Sequence, residues 1–223
     1  MRFGYCERLD ASFWAEPVNA VTNGAFLAAA LAAFWLWRRQ ELRDRVALVF
    51  ILLVFAIGIG SFLFHTQPNR WTVLADVVPI QFFAFGYFAF ALRRLLGLPA
   101  AVTSMGTLAF FGLALALSGA GQAILPPTMA GSAGYAAFLL GLVGIAIAMP
   151  RALDRQRRLL GLATVAFAIS LTLRSIDMAL CDAIPLGTHW LWHLLNALVL
   201  YLLLRAALLS RGAGAIASSF PGR

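Results

Sequence analysis

Seven apolar runs, separated by short segments rich in charge, Pro or Gly, most constrain what this chain can fold into. Each run is close to the roughly 20 apolar residues that a helix needs to cross a hydrocarbon core of about 30 Å. The runs cover about residues 17–37, 46–65, 72–92, 101–119, 131–149, 159–178 and 188–209. The sequence therefore predicts an all-α integral membrane protein, a seven-transmembrane-helix bundle.

The composition agrees with this interpretation. Of the 223 residues, 62% are hydrophobic and 12% are charged, against about 45 to 50% and about 25% in an average soluble domain. This excludes a water-soluble globule, and seven spans leave little chain for a second domain. We therefore expect a single membrane domain over residues 1–223, in which the Ser-, Gly- and Ala-rich segment 210–223 is a flexible tail.

The distribution of arginine predicts the orientation of the bundle. All basic residues are Arg, and they cluster after the first, third and fifth runs and in the C-terminal tail, whereas only Arg2, Arg8 and Arg70 fall on the opposite side. Positive residues in short loops stay cytoplasmic, which predicts an N-terminus outside and a C-terminus in the cytoplasm. Short Arg runs between apolar segments do not indicate a nucleic-acid partner. An Arg-only, Ala-rich chain is typical of a GC-rich genome and predicts a bacterial inner membrane.

The only three histidines are expected at one depth in the membrane. His189 and His193 are four residues apart at the start of the last span, a spacing that places both imidazoles on one helix face. His65 ends the second span, and the predicted orientation brings it to the same outer surface. Three imidazoles with one open coordination position are typical of catalytic zinc, which lowers the pKa of a bound water to about 7.

The same three residues allow other interpretations. Iron, cobalt and nickel also accept imidazole ligands. A haem between His65 and one His of the last span would leave the other His without a role. Interfacial histidines that only tolerate wet surroundings are the simplest alternative.

Two further polar residues are predicted near this depth. Ser61 lies one helical turn before His65 and is a candidate hydrogen-bond donor to a carbonyl oxygen or oxyanion, although small residues also serve close helix packing. Asp76 lies one turn into the third span, where an ionisable residue is a functional candidate by default. It could act on a water as a base or pair with Arg174. Alternatively, Arg174 pairs with Asp177, three residues further on.

Acidic residues and both cysteines are also placed on the outer side. Glu7, Asp10 and Glu16 offer the hard oxygen ligands that calcium prefers, but a solvated acidic N-terminus explains them equally well. Cys6 and Cys181 both fall outside in the predicted topology. They either form a disulfide or remain free buried thiols.

Three blocks of sequence together resemble the alkaline ceramidase family, part of a wider superfamily of seven-helix membrane hydrolases and receptors. The similarity runs from Tyr5 to about Tyr201. The blocks are Tyr5-Cys6-Glu7 followed by residues 16–23, Gly58 to His65 followed by Asp76, and His189 to His193 preceded by Ile176-Asp177 and Cys181. Each block alone would be weakly specific.

The resemblance implies a role for each site residue. It implies zinc on His65, His189 and His193, Asp76 acting on the water, Ser61 stabilising the oxyanion, and a disulfide between Cys6 and Cys181. It also implies calcium near the N-terminus, bound by Glu7 and Glu16. Here the chain departs from the family: the segment before Glu16 is short, Gly4 stands where an acid is usual, and Leu9 lies near where an Asn is usual, although Asp10 is a candidate substitute.

Together these features predict a zinc-dependent amidohydrolase that acts inside the membrane, near its outer face. The expected substrate is ceramide or a ceramide-like N-acyl membrane lipid, cleaved to a fatty acid and a long-chain amine. N-acylated amino-acid lipids are further candidates in a bacterium. The competing hypothesis is a non-hydrolytic seven-helix receptor or lipid-binding protein with a structural zinc. An Asp beside the histidines favours the enzyme, because a structural zinc has a closed ligand shell and needs no base. Nothing in the sequence identifies a protein partner.

Overall fold

A computed structural model describes residues 4–217, with the side chains of residues 127, 128 and 211–217 left aside. Every regular element in this part of the chain is helical. Three short turns accompany the helices: a π-turn, Ala91–Leu95, and two 3-10 turns, Arg151–Leu153 and Asp177–Ala179. The helices are α1 (Pro17–Thr22), α2 (Gly24–Arg38), α3 (Arg45–Thr66), α4 (Arg70–Phe90), α5 (Ala100–Ile124), α6 (Pro127–Ala130), α7 (Ala133–Ala148), α8 (Asp154–Ile176) and α9 (His189–Ala217).

Six helical segments within the described residues are long and apolar enough to cross a membrane. They are Pro17–Arg38, Arg45–Thr66, Arg70–Leu95, Ala100–Ile124, Arg151–Ala179 and His189–Ser210. Large apolar side chains such as Leu52, Leu108 and Val165 are exposed on them, as expected of a surface that faces lipid. The protein is therefore a multi-pass helical membrane protein.

The fifth predicted span, 131–149, forms the shorter helix α7. Its 16 residues rise about 24 Å at 1.5 Å per residue, less than the roughly 30 Å of a hydrocarbon core. Proline limits it on both sides, because Pro126 and Pro127 precede it and Pro150 follows it. The count of seven spans and the orientation of the termini therefore remain predictions.

The helices form a closed arrangement around the site. α3 packs against α4 and α2, α9 packs against α8 and α2, and α5 and α7 complete the bundle on the other side. Ile51, Val54 and Leu204 are completely or almost completely buried in its core. Contact between α4 and α7 is slight, which leaves space in the bundle between α4, α7 and α9.

Two helices approach each other closely beside the predicted Ser61 and Asp76. A Cβ added at Gly60 would lie 2.0 Å from the carbonyl oxygen of Ala75. The backbones of α3 and α4 can touch there only because Gly60 has no side chain. This contact fixes the register in which Ser61 on α3 meets Asp76 on α4.

The expected C-terminal tail begins later than the sequence suggested. We placed its start at residue 210, but α9 continues to Ala217. Residues 218–223 of the expected tail lie outside the described residues.

Candidate metal centre and active-site cavity

The three histidines come together in the structure. His65 lies in the last turn of α3, and His189 and His193 lie in the first two turns of α9. Each is 1% exposed, and one ligand atom from each lies within 4.8 Å of those of the other two. In the described part of the chain, this is the group of His, Cys, Asp and Glu side chains that could hold a metal ion.

Hydrogen bonds to the imidazole rings indicate which nitrogen atoms are available. Nδ1 of His65 lies 2.6 Å from Oε2 of Glu16, and Nδ1 of His193 lies 2.9 Å from the Thr22 hydroxyl. These contacts leave Nε2 of both rings for a ligand bond. Nδ1 of His189 is buried without a hydrogen-bond partner. His ligands of zinc almost always bond a further group through the second ring nitrogen, and His65 and His193 follow this pattern.

Glu16 joins the histidine group to the N-terminal segment. Besides His65, its carboxylate accepts hydrogen bonds from the Arg8 guanidinium and, at 3.0 Å, from the Asn19 amide. Burial raises the pKa of Glu16, but the hydrogen bonds from His65, Arg8 and Asn19 outweigh it and hold the pKa below its usual value. Glu16 is therefore an ionised carboxylate that orients His65.

The structure gives no support to the predicted calcium ion. Glu7 accepts hydrogen bonds from the backbone N–H groups of Val18 and Asn19 at 2.7 and 2.8 Å, so it satisfies the first turn of α1. Asp10 is exposed and accepts from the Ser12 backbone. With Glu16 bound to His65, the three carboxylates do not converge. Spacing along the chain could not reveal these separate partners.

Arg8 is a cation that contacts Glu16. Its side chain is buried, and besides Glu16 it donates to the backbone carbonyl of His65 at 2.7 Å. The guanidinium thus neutralises Glu16 and also satisfies a carbonyl at the C-terminal end of α3. From its position in the sequence, Arg8 was used only to predict the orientation of the bundle.

Ser61 and Asp76 lie in the same cavity as the histidines. Both side chains line a polar cavity together with His189 and His193, and Ser61 lies close enough to Asp76 to act on its carboxylate. Asp76 also interacts electrostatically with His65 and Arg174. We had considered an ion pair of Arg174 with Asp76 or with Asp177, and the described structure contains neither.

Asp177 instead fixes the start of α9. Its carboxylate accepts from the backbone N–H groups of Thr188 at 2.6 Å, His189 at 2.9 Å and Cys6 at 3.1 Å. A carboxylate is favourable at a helix N-terminus, where N–H groups lack partners within the helix. Asp177 therefore sets the position of His189 and ties it to the N-terminal segment. The sequence offered no signal for this role beyond an acid shortly before a helix.

A disulfide joins Cys6 to Cys181. It holds the N-terminal segment over the start of α9, where the Tyr5 ring stacks on His189 with a centroid distance of 3.8 Å. Burial raises the pKa of the Tyr5 phenol, so its hydroxyl is protonated at neutral pH. Tyr5 was not among the predicted site residues, although it directly precedes Cys6 in the sequence.

A second, apolar cavity continues from the first. It lies among α4, α7, α8 and α9. Its walls include Phe83, Phe138 and Leu142. The two cavities share five lining residues: Phe26, Ile57, Ile80, Tyr135 and Trp192. A polar chamber with the histidines thus adjoins an apolar chamber between the helices.

The fold and the site define a class of protein: a multi-pass helical membrane protein with buried histidines that could hold a metal. A comparison with protein-family models matches residues 3–213 to the family described as Ceramidase. The chain belongs to this family, as the three sequence blocks had indicated. No curated protein and no solved structure matches the chain. Membership supports a ceramide-hydrolysing function and implies a hydrolase that acts on amide bonds.

Proposed function

We propose that the chain is a zinc-dependent amidohydrolase that cleaves the amide bond of ceramide or a ceramide-like N-acyl lipid within the membrane. The products would be a fatty acid and a long-chain amine. The observation that carries this proposal is the polar chamber, in which Ser61 and Asp76 border one space with His189 and His193, two members of the buried histidine group. A structural metal site would not need a carboxylate and a hydroxyl beside an open cavity.

Each site residue would have a separate role in the reaction. Zinc held by His65, His189 and His193 would supply Lewis acidity, which polarises an amide carbonyl and acidifies a water. Asp76 would take the proton from the water and return it to the leaving amine. Ser61 would donate a hydrogen bond to the oxygen of the scissile carbonyl.

The proximity of Ser61 to Asp76 would couple these two roles. A hydroxyl has one proton, so Ser61 cannot donate to the ionised Asp76 and to the substrate oxygen with that same proton. Once Asp76 has accepted a proton it becomes a weaker acceptor. Ser61 is then released to donate to the oxygen on which negative charge develops.

The apolar chamber provides a place for the acyl chain. Its walls are mainly aromatic and aliphatic, and it adjoins the polar chamber at Tyr135 and Trp192. A lipid with its amide beside the histidines would bury its acyl chain there and gain about 25 cal/mol for each Å² of apolar surface removed from water. Such a chain would enter from the bilayer without leaving an apolar environment.

We also propose the seven-span topology, with the N-terminus and the metal centre near the outer face of a bacterial inner membrane. The Arg distribution supports it. The disulfide supports it independently, because such bonds persist in the periplasm and are rare in the cytoplasm. Cys6 follows Tyr5, whose ring stacks on His189, so the disulfide also supports a metal centre on the outer side.

Metal content and turnover, measured together, test the proposed function. The detergent-purified chain would be analysed by elemental mass spectrometry and assayed for fatty-acid release from a panel of N-acyl lipids. We expect about one zinc per chain, the stoichiometry of a three-His site, together with turnover. Zinc without turnover of any amide would favour the receptor or lipid-binding hypothesis. Absence of zinc would contradict the metal site itself.

Replacing Glu16 by glutamine is expected to weaken metal binding without removing it. The variant Glu16→Gln loses the charge that orients His65 and neutralises Arg8. Loss of such an outer partner typically lowers metal affinity about 10- to 100-fold. Competition with a chromophoric zinc chelator would measure the change. The matched control is Glu7→Gln, since Glu7 contacts the α1 backbone instead, and an unchanged affinity in Glu16→Gln would contradict the orienting role.

A further inference from the structure

Arg174 is a cation in the wall of the polar chamber that the proposed mechanism does not use. It lies near the end of α8, and its guanidinium stands over the rings of Trp192, Tyr135 and Tyr5 at 5.0, 5.3 and 6.0 Å from their centroids. Its Nη1 donates to the Tyr5 hydroxyl at 3.3 Å, and its Nε is buried without a partner. The same three rings and Arg174 line the cavity that contains the histidines.

The charge of Arg174 is incompletely balanced by the protein. A guanidinium has five N–H donors, and the described contacts include one hydrogen bond and no ion pair for it. Asp177 is occupied by three backbone N–H groups, and Asp76 interacts with the charge of Arg174 but forms no ion pair with it. Aromatic faces stabilise a cation, but they accept no directional hydrogen bonds in the plane of the guanidinium.

We propose that Arg174 binds a carboxylate on the amine half of the substrate, so that anionic N-acyl lipids of the N-acyl amino-acid type are preferred over neutral ceramides. The inference rests on the proposed function. In an N-acyl amino acid the carboxylate is one carbon away from the amide nitrogen. With the amide beside the histidines, the carboxylate stays in the polar chamber and meets a group suited to bidentate binding of carboxylates.

The reaction also provides a second carboxylate that Arg174 could bind, because hydrolysis of every N-acyl amide releases a fatty acid. The position of Arg174 argues for the substrate. Arg174 lines the polar chamber and is absent from the walls of the apolar chamber, in which the acyl chain would lie. It is also only three residues before Asp177, which caps the outer end of α9, so it lies on the head-group side.

The test compares two substrates of nearly equal shape, N-palmitoyl glycine and N-palmitoyl ethanolamine, with a neutral ceramide as a third. We expect the wild type to prefer the glycine conjugate in kcat/KM. The variant Arg174→Gln should lose roughly 10- to 100-fold on that substrate, as expected when a hydrogen bond to a charged group is removed, and change little on the ethanolamide. Arg174→Lys should restore part of the preference, because it restores the charge but not the planar donor pair.

The chain contains a matched control in Arg205. On α9, its Nη1 donates to the Tyr201 hydroxyl at 3.2 Å and its guanidinium lies 5.9 Å from the Tyr201 ring. It lines neither chamber. Arg205→Gln therefore removes a similar intramembrane contact and should leave the substrate preference unchanged. Zinc content and Tm of all variants would be measured alongside.

Several results would overturn the inference while leaving the proposed function intact. One is an equal loss on both substrates in Arg174→Gln, which would assign Arg174 to the fold or to the charge balance of Asp76. Another is an Arg174→Gln variant that palmitate inhibits less strongly but whose substrate preference is unchanged. That result would mean that Arg174 binds the carboxylate of the fatty-acid product.

If the wild type hydrolyses no amide, the proposed function fails, and the rise in Tm with N-palmitoyl glycine decides the inference separately. That rise should be present in the wild type and lost in Arg174→Gln.

Discussion

Replacing His193 by alanine is expected to abolish both metal binding and amide hydrolysis. A three-histidine site has no spare protein ligand, and the other two imidazoles lie on separate helices, α3 and the first turn of α9. Zinc per chain should fall from about one to below about 0.1, because two ligands bind zinc weakly against a chelator in the buffer. Elemental analysis after chelator treatment and fatty-acid release from an N-acyl lipid would measure both effects.

The neighbouring residue Leu194 provides a control for this variant. It follows His193 on α9, is 40% exposed and lines neither chamber. Leu194→Ala should therefore retain zinc and activity. The Thr22 hydroxyl, which loses His193 as a partner, still bonds the backbone carbonyls of Val18 and Asn19, so α1 is expected to remain folded. Unchanged zinc in His193→Ala would contradict the proposed metal centre.

The helical membrane architecture could be predicted because it depends on local composition. A span must be apolar over about 20 residues, so it can be recognised from the sequence of that segment alone. Helix length was less predictable at α7, where the apolar run was clear but prolines on both sides shorten the helix. The position of the α9 end was missed for a similar reason, since an Ala- and Gly-rich segment has no distinct stop signal.

The grouping of the histidines could be predicted because two regularities combine. Helical periodicity places His189 and His193 on one face, and alternating spans bring the end of α3 to the level of the start of α9. The partners of these histidines could not be predicted in this way. Glu16 and Tyr5 reach them from the N-terminal segment, whose path depends on the disulfide and on hydrogen bonds to Asp177.

Most of the contacts that could not be predicted from the sequence are made by long side chains. Arg8 and Arg174 were assigned from their positions along the chain, yet their guanidinium groups lie several bonds from the backbone and reach other elements. Arg8 reaches the end of α3, where it donates to the backbone carbonyl of His65. Arg174 turns towards aromatic rings instead of the acids that are nearest in sequence. Such choices are decided by packing, which periodicity does not encode.

Replacing Asp76 by asparagine is expected to abolish turnover while leaving the metal in place. An amide has nearly the same shape as a carboxylate and can still accept a hydrogen bond from Ser61. The variant should therefore keep the contact between α3 and α4 at Gly60. It cannot accept a proton from water, however, and loss of general base catalysis typically lowers the rate about 10²- to 10⁴-fold. Activity assays and zinc analysis on the same preparation would measure the two effects.

Asp154 supplies the control for Asp76→Asn, because it is an exposed acid on α8 that pairs with Arg157 and Arg158. Asp154→Asn should retain activity, since surface ion pairs contribute at most about 1 kcal/mol. Full activity in Asp76→Asn would show that the proton goes elsewhere, and loss of zinc would show that Asp76 supports the metal centre instead. Because His193→Ala is expected to lose both metal and activity and Asp76→Asn only activity, the pair separates assembly of the site from the proton transfer that it performs.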